Sequence, residues 1–177
     1  MRFYDLVKER YSVRSFSNRA IEDEKLEQIL EAGRLAPTAM NEQPQRIFVL
    51  KSPEALEKVR SVTRMTYNAP VVLLICYDKD ISWKADKFGD DYDAGEMNAC
   101  IVTTTMMMQA AELGVGSLWV RGYCTQDVIE TFDLPKNIVP VCMLDLGYPT
   151  EGYKPSPMHF SRDDDFSDEG LDDSDEF

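Results

Sequence analysis

The run Val71-Val72-Leu73-Leu74-Ile75-Cys76-Tyr77 constrains the fold more than any other stretch of this chain. It is apolar on successive residues, so an extended segment there must be covered on both faces. It is also too short to cross a bilayer and reads as a buried strand. The rest of the chain is expected to supply a sheet around it. Residues 46–50 and 117–122 read as strands, and Val139 to Gly147 as the last one. Phe3, Leu6 and Val7 mark a short first helix. Leu26, Ile29, Leu30 and Gly33 recur at helical spacing behind Glu22, Asp23 and Glu24, acidic residues that the macrodipole favours at a helix start. That helix should end near Ala36-Pro37, because proline disfavours a helical residue before it. Residues 53–59 read as a helix with proline in its first turn, and another is expected near 125–132. Strands and helices alternate irregularly, which predicts an α+β or mixed α/β fold with a central sheet.

The segment 96–113 is apolar nearly all round, which marks a buried helix. Met97, Ile101, Thr104, Met108 and Ala111 form one stripe, with Cys100 and Met107 off it. The consecutive methionines Met106 to Met108 read as core filling rather than as a soft-metal box.

Several chemistries lack their residues. The net charge is −13, with 32 acidic against 19 basic residues. Residues 161–177 hold nine acidic residues and one arginine, contributing −8 and leaving about −5 for the body. Such a surface repels phosphate backbones, so no nucleic-acid partner is expected. The tail has the composition of a flexible segment. Cys76, Cys100, Cys124 and Cys142 are widely spaced, and the single histidine, His159, is far from them along the chain. Reduced thiols in a cytoplasmic protein fit this better than zinc or disulfides. The charged N-terminus has no long apolar region, so neither a signal peptide nor a membrane partner is expected. Phosphate-loop and dinucleotide glycine motifs are missing. Asp90, Asp91 and Asp93 suit a polar loop and helix start rather than a calcium loop. No metal site is nominated.

Three segments could hold a small ligand. Arg10-Tyr11-Ser12-Val13-Arg14 places two planar guanidinium forks around a hydroxyl, which is either a solvated turn or a seat for an anion. Residues 36–45 combine prolines with the amides Asn41 and Gln43, and form either a plain turn or a holder for the edge of a flat heterocycle. Residues 114–123 form a glycine-flanked strand whose backbone a ligand could approach.

In order and spacing these segments resemble the nitroreductase family of FMN-dependent oxidoreductases. The resemblance runs from Phe3 to about Pro155. It rests on R-x-S-x-R-x-F, then A-P-T-A-x-N-x-Q-P, A-P-V-V-L-L at 69–74, D-A-G…A-A-E-L-G-V-G-S-x-W at 93–119, and the closing G-Y-P. It implies an α+β fold with a central, mostly antiparallel sheet flanked by helices, in an intertwined homodimer with FMN sites lined by both chains. Residues 1–160 would be one FMN-binding domain with an extended arm from about 148, followed by the acidic tail 161–177.

By the same resemblance, Arg10 and Ser12 hold the FMN phosphate, with Tyr11 in the same motif. Arg14 lies near the ribityl chain or the pyrimidine end, where a cation stabilises the reduced ring. Pro37, Thr38, Ala39, Met40 and Asn41 contact the flavin from the second subunit, and Gln43 belongs with them. Trp119, Val120, Arg121 and Gly122 form the strand end whose backbone N–H meets N5. The implied function is hydride transfer from NADH or NADPH through flavin N5 to a small electron-poor acceptor, a nitroaromatic or quinone, by ping-pong exchange. No catalytic side chain is nominated. Ser156 and Met158 replace cations that family members often carry after G-Y-P, while Lys154 is retained; Lys154, His159 or Arg162 are the candidate substitutes. That departure keeps open a flavin-binding or regulatory protein with little turnover, or a scaffold with no cofactor.

Overall fold

The computed structural model describes residues 2–155. Ser156, Met158, His159, Arg162 and the tail 161–177 lie outside the described residues. Four strands, β1 (Gln45–Leu50), β2 (Val71–Asp78), β3 (Gly116–Val120) and β4 (Ile138–Gly147), form one sheet in the order β1-β2-β4-β3. Every pairing is antiparallel, where the family resemblance implied a mostly antiparallel sheet. Five helices surround it: α1 (Phe3–Glu9), α2 (Asp23–Leu35), α3 (Pro53–Val62), α4 (Gly95–Glu112) and α5 (Thr125–Phe132).

The apolar run of β2 resolves into two cores. Val71, Leu73 and Ile75 face α2 and α4, meeting Leu26, Ile29, Ala99, Val102, Met106 and Ala110. Val72, Leu74 and Cys76 face the other way, toward Val59 of α3, Val128 of α5, Val13 and Phe16. Alternate side chains of a strand point to opposite faces, so a run buried on both faces makes the sheet the middle of three layers. Among the described residues no helix is long and apolar enough to cross a membrane.

Local signals set the helix ends. Leu35 ends α2, and Ala36 is extended at ψ 142 before Pro37. Ser52 caps α3 by accepting from the Ala55 amide at 3.1 Å, with Pro53 beginning the helix.

Helix α4 corrects one expectation. Its buried stripe is Ala99, Val102, Thr103, Met106 and Ala110, whereas Met97 and Thr104 are exposed and Ile101, Met108 and Ala111 are half-buried. A helix apolar all round does not say which side the sheet takes, and here the sheet takes the side with two alanines. Thr103, Thr104 and Thr105 each return their hydroxyl to the carbonyl four residues back, at 2.7, 2.9 and 2.9 Å. The polar groups are thereby satisfied within the helix.

Candidate cofactor site

Helix α1 stops at Glu9, and Arg10 leaves it with extended backbone at ψ 133. The chain then runs beside β3. The Val13 amide donates to the Ser117 carbonyl at 2.9 Å and the Phe16 amide to the Tyr67 carbonyl at 3.0 Å. Val13 and Phe16 are buried in the core beneath. This close seat requires Gly116, because a Cβ there would lie 2.7 Å from Val13 Cγ2 and 3.0 Å from the Gly147 carbonyl. Arg14 is exposed between the two anchors. Arg10 is half-buried and lines a cavity of about 200 Å³ with Tyr11, Val13, Gly116, Ser117 and Glu9. Among the described residues neither Arg10 nor Arg14 has an ion-pair partner. Arg10, in a cavity that Glu9 also lines, with Ser12 and Arg14 two and four residues on, supplies donor types that suit a phosphate.

The loop after α2 is held in an uncommon conformation. Met40, Asn41 and Gln43 have φ of 51, 58 and 51, all in the left-handed region. For residues other than glycine this costs roughly 1–3 kcal/mol each, and such strain collects at binding sites. Three bonds that involve side chains help hold the loop. The Ala39 amide donates to Asn98 Oδ1 at 2.9 Å, the Gln43 amide to Thr38 Oγ1 at 3.1 Å, and Arg46 to the Gln43 carbonyl at 3.4 Å. Asn98 is fully buried on α4, and its Nδ2 has no partner among the described residues. Pro37, Met40, Asn41 and Gln43 are exposed, and Thr38 and Ala39 are half-buried.

At the far end of β3, Trp119 is half-buried, Val120 is in the core, and Arg121 and Gly122 are exposed just beyond the strand. The Arg121 guanidinium turns back on its own chain. It donates to the Tyr123 carbonyl at 3.2 Å and Thr125 Oγ1 at 2.9 Å, and lies 4.6 Å from the Tyr123 ring centroid. Gly122 lies against Met65, whose Sδ would be 2.5 Å from an added Cβ. It shares a cavity of about 410 Å³ with Arg60, Ser61, Thr63, Arg64 and Met65. Arg60 and Arg64 were not foreseen. Arg60 and Arg64 are four residues apart, as Arg10 and Arg14 are, but with Ser61 and Thr63 on either side of Val62 instead of a central serine, a signal masked by its place at the end of a helix.

The structure joins two of the three segments in one chain and leaves the third apart. Ser12 bridges Ser117, and three more residues of β3 lead from there to Val120, roughly 10 Å at strand rise, with Gly122 two residues beyond. The loop at 36–43 sits elsewhere. Ala39 is bonded to Asn98 near the start of α4, whereas Arg10 shares its cavity with Ala111 near the end. Asn98 and Ala111 are about 20 Å apart along α4, which sets Ala39 well away from Arg10, while Pro37 at the start of the loop lines a cavity with Gln109.

Other groups are accounted for. Burial pushes the Cys76 and Cys142 thiols up to about 12, so both are protonated and inert near neutral pH. Asp93 accepts from Ser82 at 2.5 Å and from the Gly95 amide at 2.8 Å, fastening the start of α4.

Comparison with known proteins bears on the family and the fold. The family model described as "Nitroreductase family" matches residues 7–66 and 62–148. A crystal structure of a nitroreductase family protein from Clostridium difficile superposes with a TM-score of 0.88 at 36% identity, covering 97% of this chain and 100% of that one. A protein of Archaeoglobus fulgidus, provisionally named NADH dehydrogenase/NAD(P)H nitroreductase, is 33% identical over 82% of this chain and 84% of its own length. An FMN reductase [NAD(P)H] of Bacillus subtilis is 28% identical over 79% of this chain and 63% of its own length. The chain belongs to the nitroreductase family.

Proposed function

We propose that this protein is a soluble, cytoplasmic, homodimeric oxidoreductase that uses FMN to pass hydride from NADH or NADPH to a small electron-poor acceptor, a nitroaromatic or a quinone, in ping-pong exchange. The observation that carries this reading is the pair Arg10 and Arg14, unpaired among the described residues and seated on β3, with the strand leading toward Gly122. The Bacillus relative's name joins FMN and NAD(P)H in one activity. Bound FMN supplies a two-electron carrier that exchanges hydride at a ring nitrogen.

The chain's own residues do the rest. Arg10 and Ser12 hold the phosphate, with Tyr11 beside them, and Arg14 adds positive charge toward the ring. Backbone N–H groups after Val120 are left open at the strand end, and Arg60 and Arg64 make the cavity beside Gly122 electropositive. The loop of Pro37, Thr38, Ala39, Met40, Asn41 and Gln43 completes the site from a second copy, because its own chain holds it far from Arg10. Residues 1–160 make up the binding domain. Its arm begins near 148 on the chain's own 15–17 segment, where Thr150 donates to Ser15 and Ser17 to Tyr148, and the tail 161–177 lies beyond it.

The test is titration of the cofactor-free protein with FMN, followed by anaerobic addition of NADH or NADPH. One FMN per chain and loss of the oxidised-flavin absorbance are expected. Binding without bleaching would leave a passive flavin binder, and no binding would overturn the reading. Arg10→Ala is expected to weaken FMN about 10- to 100-fold, the value of a charge-assisted hydrogen bond, with the dimer intact by sedimentation. Unchanged affinity would remove the phosphate role from this segment.

A further inference from the structure

Val13 and Phe16 pin the Arg10–Phe16 segment from the core side. A second set of contacts pins it from the other side, and these come from far along the chain. After β4 the backbone turns at Thr150–Tyr153, where the Tyr153 amide donates to the Thr150 carbonyl at 3.1 Å. The turn lies back on residues 15 and 16. The Thr150 amide donates to the Ser15 carbonyl at 3.0 Å, Thr150 Oγ1 donates to Ser15 Oγ at 3.1 Å, and Pro149 bridges Phe16. Tyr153 then reaches the residues between the cations. Its hydroxyl accepts from the Arg14 amide at 3.0 Å and donates to the Ser12 carbonyl at 3.2 Å. Its ring stacks on Tyr11, with centroids 6.1 Å apart and planes 19° from parallel.

The geometry points to Tyr153 as a positioning residue for the phosphate seat: one phenol fixes the backbone of Ser12 and Arg14, and its ring fixes Tyr11, the neighbour of Arg10. This rests on the FMN reading above and adds to it the residue that sets affinity for the phosphate end. The physical reason is preorganisation. A guanidinium pair presented on a mobile strand must lose backbone freedom when a ligand binds, and a strand already fixed on both sides loses less. The phenol needs no contact with the ligand to act in this way.

The test compares FMN with riboflavin, which lacks the phosphate, for binding to the cofactor-free protein by quenching of flavin fluorescence. Tyr153→Phe removes both hydrogen bonds and keeps the stack. Its FMN dissociation constant is expected to rise about tenfold, as for one or two neutral hydrogen bonds, with a clearly smaller loss for riboflavin, which keeps the ring and ribityl contacts of Arg14 but not the phosphate. Tyr153→Leu, which also removes the stack, is expected to lose more FMN affinity and again to affect riboflavin less. A general loosening of the fold would weaken both ligands alike, and that result overturns the assignment. So does unchanged FMN affinity in Tyr153→Phe, even if Tyr153→Leu is impaired. If the unsubstituted protein binds no FMN, the failure belongs to the FMN reading itself and not to Tyr153.

Discussion

On β4, cross-strand from Val72 and Leu118, the Asp145 side chain is 1% exposed and neither carboxylate oxygen has a partner among the described residues. Burial alone raises its pKa from 3.8 to about 8. The folded chain therefore keeps a proton that the unfolded chain loses above pH 4. Stability should be full below about pH 4 and fall as pH rises toward 8, by up to about 1.4 kcal/mol per pH unit. Asp145→Asn should flatten that slope. Urea unfolding of both proteins at several pH values between 4 and 8 checks this, and equal slopes would mean that Asp145 is ionised in the fold. Residues of this kind mark what the sequence could not show. Asp145 looks like the polar end of the strand, although V-C-M-L before it is apolar on successive residues, as in β2. Tyr153 acts on residues 139 and 141 positions away, and no local pattern announces such a contact. Arg10, Ser12 and Arg14, by contrast, stand out as candidates because one short motif carries them together.

Among elements, β2, α2 and α3 followed from local chemistry: an uninterrupted apolar run, a helix stopped before proline, and a serine cap before proline. Helix α4 did not, because its buried face can be chosen only by the sheet it meets. Asn98 shows what that choice costs the reading. Its position faces the interior, and it ties α4 to the strained loop through the Ala39 amide. Asn98→Ala should lower stability by about 1 kcal/mol, the net value of one hydrogen bond. It should also speed hydrogen exchange at the Ala39 amide, because the left-handed residues Met40, Asn41 and Gln43 lose their tether. Unchanged exchange at Ala39 would show that Thr38 and Arg46 hold the loop without α4.

For the whole molecule, one chain leaves several large apolar side chains exposed. Phe3, Leu35, Met40 and Met97 are 71, 67, 73 and 46% exposed on α1, α2, the loop and α4. A cavity of about 440 Å³ lies between α2 and α4, lined by Ala32, Leu35, Pro37 and Thr105. In our account a second copy covers this side and brings its loop to the cations of the first. Mixing two defective chains tests that directly. One carries Arg10→Ala; the other carries Thr38→Ala, Asn41→Ala and Gln43→Ala. Each alone should bind FMN weakly. After subunit exchange, every mixed dimer should contain one site with both halves intact, so tight FMN binding and NAD(P)H-dependent bleaching should reappear. A mixture that binds no better than its parents, although sedimentation shows mixed dimers, would contradict the shared site.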